Sequence, residues 1–160
     1  MSAGADNGGD AVATAVVSAA GAELRALAVG SIDLRAAADA ARANAWCPYS
    51  HFSVGAALVA DDGRVFVGCN VENASYPAGI CAERVALGTA VAAGARRFSR
   101  VVITSAAQEP TPPCGICRQA LVEFAPDLDI VAYATDGRTA RWSLAELLPA
   151  PFTPASLDHA

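Results

Sequence analysis

At 160 residues the chain has the length of one domain, and its apolar share of 54% overstates its core because 39 residues are alanine, which bury little area each. Net charge is −5, the eleven basic residues are all arginine, and no basic run exceeds Arg96-Arg97, which argues against nucleic acid as a partner. Without a lysine there can be no Schiff base and no P-loop lysine, and with only His51 and His159 a three-histidine metal site is excluded.

Residues 1–30 are rich in alanine and glycine and read as a flexible extension. They hold no basic residue before Arg25, so the start lacks a signal peptide's charge, and no uncharged stretch reaches the ~20 residues of a membrane span. A cytoplasmic protein without a membrane partner is expected. The folded domain is placed at 31–152, with 153–160 as a flexible tail. Its first helix is read from Ile32 to about Trp46, ended by Pro48.

Residues 52–60 and 64–69 alternate around Asp61-Asp62-Gly63 and predict a β-hairpin. After a loop at 70–79, a helix is expected from Cys81 to Ala93, capped by Gly94. The β-branched run 101–104 predicts a strand, a proline-bearing loop follows, and Cys114 to Phe124 predicts a helix. Strands at 128–134 and 138–142 flank the Asp136-Gly137 turn. Ser143 and Glu146 have capping-box spacing for a short helix before Pro149. This order predicts one mixed sheet with helices on both faces.

Chemistry concentrates at two helix starts. Cys81 opens one helix, while Cys114 and Cys117, three apart, share a face of the next. The positive end of a helix favours thiolates, and three converging sulfurs suit a tetrahedral zinc with one position open. Glu83 lies two residues past Cys81, about 200° around a helix, yet a long side chain in a first turn can reach past the end. Cys-x-x-Cys alone would also fit a structural zinc or a redox dithiol. Structural zinc, however, wants four closed ligands, and Cys47 and Cys69 lie elsewhere and read as packed thiols. His51 is expected in a solvent-facing loop, His159 in the tail, and Trp46 and Trp142 at the margin of the core. Arg118 and Gln119 could order the loop before Cys114 or simply form a solvated helix face.

Cys81-Ala82-Glu83-Arg84 followed by Pro113-Cys114-Gly115-Ile116-Cys117-Arg118-Gln119 resembles the zinc-dependent nucleoside deaminases, specifically the small homotetrameric cytidine deaminases with three cysteine ligands. The likeness runs from residue 48 to 152 through Pro48-Tyr49-Ser50, Phe52, Val54-Gly55-Ala56-Ala57, Asn70-Val71-Glu72-Asn73-Ala74-Ser75-Tyr76, Leu147-Leu148-Pro149 and Phe152. It implies a three-layer α/β/α fold with a five-stranded mixed sheet. It further implies one Zn²⁺ per subunit on Cys81, Cys114 and Cys117, and hydrolytic deamination of cytidine and 2′-deoxycytidine in pyrimidine salvage. By the same likeness Glu83 carries protons while activated water attacks C4, and Asn70 and Glu72 bind the ribose. Phe52 packs on the pyrimidine, Phe152 enters a neighbouring subunit's pocket, and Arg84 offsets the charge of the cysteine ligands. Two alternatives stand beside it: a deaminase of another cytosine nucleoside such as blasticidin S, and a zinc-stabilised binding module without catalysis.

Overall fold

A computed structural model of the chain describes residues 32–157; the expected extension at 1–30 and His159 lie outside them. Helix α1 (Leu34–Arg42) starts at Asp33, whose carboxylate accepts from the amides of Arg35 and Ala36. The helix ends sooner than Pro48 suggests. Its continuation is diverted sideways: Trp46 donates its amide to the Asn70 carbonyl at 3.0 Å and accepts from the Glu72 amide at 2.7 Å. That backbone pairing holds Trp46 at the outer edge with 61% of its surface exposed, so only Trp142 takes the expected place against the core.

Strands β1 (Val54–Ala60) and β2 (Val65–Cys69) form the expected hairpin. After a 3-10 turn at Tyr76–Ala78 come α2 (Ala82–Ala92), β3 (Phe98–Ser105), α3 (Gly115–Val122), β4 (Asp129–Tyr133), β5 (Thr139–Ser143) and the single-turn α4 (Leu144–Leu147). Gly94 follows α2 with φ +85°, a conformation costly for any side chain, and so stops the helix. Pro154–Leu157 form a further 3-10 turn, within the stretch read as a tail.

The sheet order is β2-β1-β3-β4-β5, parallel between β3 and β4 and antiparallel elsewhere. Ala37 and Ala38 of α1 pack with Ala57 and Val102 on one face. On the other face α2, α3 and α4 cover Leu58, Val101, Ile103, Leu128 and Ile130. The expected three-layer α/β/α architecture is therefore present, with two cores.

Alanine does more here than dilute the core. Ala82, Ala86 and Ala90 are fully buried on the sheet side of α2, and β2 meets them at Gly68. A Cβ at Gly68 would stand 2.4 Å from the Ala82 carbonyl and 2.5 Å from the Ala86 nitrogen, so the helix backbone lies directly on the strand. Gly55 provides the same close approach for α1, where a Cβ would fall 2.0 Å from the Ala38 carbonyl.

Register decides where the loops gather. Val54 pairs with Ser105 and Gly55 with Cys69, so the start of β1 and the ends of β2 and β3 lie at one end of the sheet. The segments before β1, after β2 and after β3 all emerge there, and the last two lead into α2 and α3. This is the edge at which α/β sheets place ligands, outside the carboxyl ends of strands.

Candidate metal centre and its surroundings

Cys81 and Cys114 are both N-cap residues with extended backbone, at φ −78°, ψ 155° and φ −66°, ψ 165°. Neither sulfur is spent on capping its own helix, so both remain available to a ligand. Cys117 lies one turn into α3 and is buried, Cys81 is half-buried and Cys114 exposed. The Cys81 and Cys114 sulfurs are 3.7 Å apart and those of Cys114 and Cys117 3.5 Å, with all three within 4.8 Å of one another. A tetrahedral zinc with Zn–S near 2.3 Å requires S···S edges of about 3.8 Å, so the spacing fits that ion.

The electrostatics agree. The Cys81 thiol is pulled down to about 5: the Cys117 thiol hydrogen-bonds to it most strongly, burial opposes, and Cys114 and the Arg84 guanidinium add to the pull. Cys117 is correspondingly pushed up, first by sharing its proton with Cys81 and then by burial. Arg84 donates from Nη2 to the Gly79 carbonyl at 3.2 Å, while its Nε is buried with no hydrogen-bond partner among the described residues. An orphaned cationic donor beside two sulfurs suits a cluster that carries excess negative charge when a divalent ion is bound.

Glu83 is 4% exposed in the first turn of α2, and burial pushes its carboxyl above the ordinary value, with the Cys81 charge adding to the rise. The 200° offset from Cys81 does not keep the two apart, because Cys81 is an extended cap residue rather than part of the helical wheel. The Cys117 thiol offsets part of the rise in the Glu83 carboxyl.

Beside the cluster, a surface cavity of about 370 Å³ is lined by Tyr49, Ser50, Glu72, Asn73, Tyr76 and Gly79. Gly79 joins it to the cluster, since its carbonyl receives Arg84. Glu72 accepts from the Tyr49 amide at 2.9 Å, the Ser50 amide at 3.2 Å and the Ser50 hydroxyl. The Ser50 hydroxyl and these amides hold its carboxyl below the ordinary value. His51, exposed as expected, takes the left-handed conformation at φ 57° and turns the chain back, with its amide on the Cys47 carbonyl at 3.0 Å. Asn70 accepts from the Val54 amide at 2.8 Å and donates to the Phe52 carbonyl at 2.8 Å, bracing the start of β1. Phe52, partly exposed, follows in the same loop, whereas Phe152, 58% exposed, lies in the C-terminal segment. Cys47 and Cys69 are half-buried free thiols away from the cluster.

Sequence reasoning left Arg118 and Gln119 undecided between ordering a loop and facing solvent. In the structure Arg118 donates to the Pro113 and Leu147 carbonyls, and Gln119 to the Phe152 carbonyl. Only their position next to Cys117 could have drawn attention to them, because backbone acceptors leave no mark in a sequence.

Residues 31–134 match the family described as the cytidine and deoxycytidylate deaminase zinc-binding region. A cytidine deaminase of Sporosarcina psychrophila is 41% identical over 122 residues, covering 75% of this chain and 89% of that protein. A probable cytidine deaminase of Dictyostelium discoideum is 45% identical over 114 residues, 71% of this chain and 77% of that protein. The crystal structure of cytidine deaminase from Burkholderia pseudomallei superposes with a TM-score of 0.72 at 48% identity, covering 74% of this chain and 96% of that one. With a zinc-binding family matched over most of its length, and three sulfurs spaced for that ion, the chain belongs to the cytidine deaminase family.

Proposed function

We propose that the protein hydrolyses cytidine and 2′-deoxycytidine to uridine and 2′-deoxyuridine with release of ammonia, as a cytoplasmic step of pyrimidine salvage. The observation that carries this reading is the buried carboxyl of Glu83 beside the three-sulfur cluster. Cys81, Cys114 and Cys117 hold the zinc ion, and Arg84 balances their charge. Zinc, when bound there, supplies the Lewis acidity that makes water nucleophilic near neutral pH.

Glu83 does the proton work. It accepts the proton of the attacking water as the C4–O bond forms and passes it to N3. It then takes the proton of the new C4 hydroxyl, leaving the carbonyl, and gives it to the amino group as the C4–N bond breaks and ammonia departs. Burial that raises its affinity for a proton suits a group that must both take and give near neutral pH. Asn70 and Glu72 receive the sugar hydroxyls, the ring of Phe52 covers a face of the pyrimidine, and Phe152 completes the pocket of a neighbouring subunit in a homotetramer. Asn70 is held by two hydrogen bonds and Glu72 by three, so both are oriented before a sugar arrives.

The test is the ultraviolet loss of cytidine with zinc per chain measured in parallel. Wild type should turn over with one zinc per chain, and Glu83→Gln should keep its zinc while losing at least about 100-fold in kcat. Equal rates for the two proteins would remove Glu83 from the mechanism.

A further inference from the structure

The loop that delivers Cys114 contains Pro110, Pro112 and Pro113, three residues with no amide to donate, and so it cannot be anchored by a backbone ladder. Arg138 holds its first half, at the Gln108 carbonyl and the Glu109 carboxylate, while the end next to Cys114 is held from the helix that follows. Arg118, the residue after Cys117, reaches back with Nε to the Pro113 carbonyl at 2.7 Å and sideways with Nη1 to the Leu147 carbonyl at 3.0 Å. Leu147 ends α4, where carbonyls lack helical partners. The next residue, Gln119, donates from Nε2 to the Phe152 carbonyl at 2.7 Å. Neighbours on a helix point about 100° apart, so one turn of α3 ties down both the chain entering the cluster and the chain leaving the domain.

We propose that Arg118 and Gln119 are positioning residues with separate tasks: Arg118 fixes Cys114 relative to Cys117, and Gln119 fixes the backbone of Phe152 relative to the same helix. Through them the helix that carries two sulfurs of one subunit also sets how that subunit presents its Phe152 ring to its neighbour. A guanidinium suits the first task because its rigid fork serves two carbonyls in different directions, which a lysine ammonium cannot reproduce at the same two positions. The second task needs only one donor. The inference rests on the deaminase reading above for the role of Phe152, while the part concerning Cys114 stands on the cluster alone.

The experiment uses the zinc-loaded full chain as wild type, Arg118→Lys, Arg118→Gln and Gln119→Ala. Three quantities are read: the rate of zinc transfer to an excess of a colorimetric chelator, kcat and KM for cytidine, and the thermal melt. Arg118→Lys should release zinc about 10- to 100-fold faster than wild type, the scale of a charge-assisted hydrogen bond to a buried carbonyl. Arg118→Gln, which loses the charge as well as the fork, should release zinc at least as fast as Arg118→Lys and carries the comparison should the lysine variant not fold. Gln119→Ala should release zinc at the wild-type rate and raise KM about three- to tenfold with kcat little changed, the scale of one neutral hydrogen bond. Wild-type zinc release from both Arg118 variants, or an unchanged KM in Gln119→Ala, overturns the corresponding task. A wild-type protein that holds zinc but leaves cytidine intact would instead refute the deaminase reading, and the zinc-release comparison would still decide Arg118.

Discussion

Single residues in this protein act through charge more than through bulk. Asp129 on β4 shows it outside the site: its carboxylate meets the guanidinium of Arg141 at 2.5 Å and that of Arg100 at 2.5 Å. Burial alone would raise its proton affinity, but the two arginine hydrogen bonds outweigh it and the carboxyl lies below its ordinary value. A depressed carboxyl stabilises the fold fully above the unfolded value near ~3.9 and loses that contribution as pH falls through the folded value. Asp129→Asn should therefore melt below wild type at pH 7, and the gap should close as pH drops under ~4. Arg141 is largely open to water and Arg100 partly, so the deficit should stay under about 1 kcal/mol. Melts at pH 7 and pH 3 that differ by the same amount would remove the ion pairs as its cause.

At the scale of elements, α4 depends on its cap because it has one turn. The Ser143 hydroxyl accepts from the Glu146 amide at 3.3 Å and the Glu146 carboxylate accepts from the Ser143 amide at 2.6 Å. Ser143→Ala should cost about 1 kcal/mol in urea unfolding, with an unchanged slope against denaturant. That box was legible from two letters three apart, as were the turns at Gly63 and Gly94 and the pairing of Cys81-x-Glu83 with Cys114-x-x-Cys117. What the sequence leaves unmarked is non-local. The first helix runs short because Trp46 prefers a backbone partner 24 residues away, at Asn70, to another helical turn. Strand β3 begins at Phe98, ahead of its β-branched run, because Ala60 across the sheet offers pairing there. Arg118 was ambiguous because its acceptors, Pro113 and Leu147, are main-chain atoms.

For the whole molecule, the exposed aromatic side chains need an account. Trp46, Tyr49, Tyr76 and Phe152 are each more than half exposed, and Tyr49 and Tyr76 stack edge to face at 6.3 Å on the cavity wall. The proposed homotetramer places the Phe152 ring in a neighbour's pocket, and light scattering should return the mass of four chains of 16.2 kDa. A stable monomer at working concentration would contradict the assignment of Phe152 to a neighbour's pocket. The contact of Gly68 with Ala82 and Ala86 bears on motion as well as on packing. Because the first turn of α2 rests on β2 with no side chain between them, there is no compliant layer to absorb a displacement. Cys81 and Glu83 thus share the stiffness of the sheet.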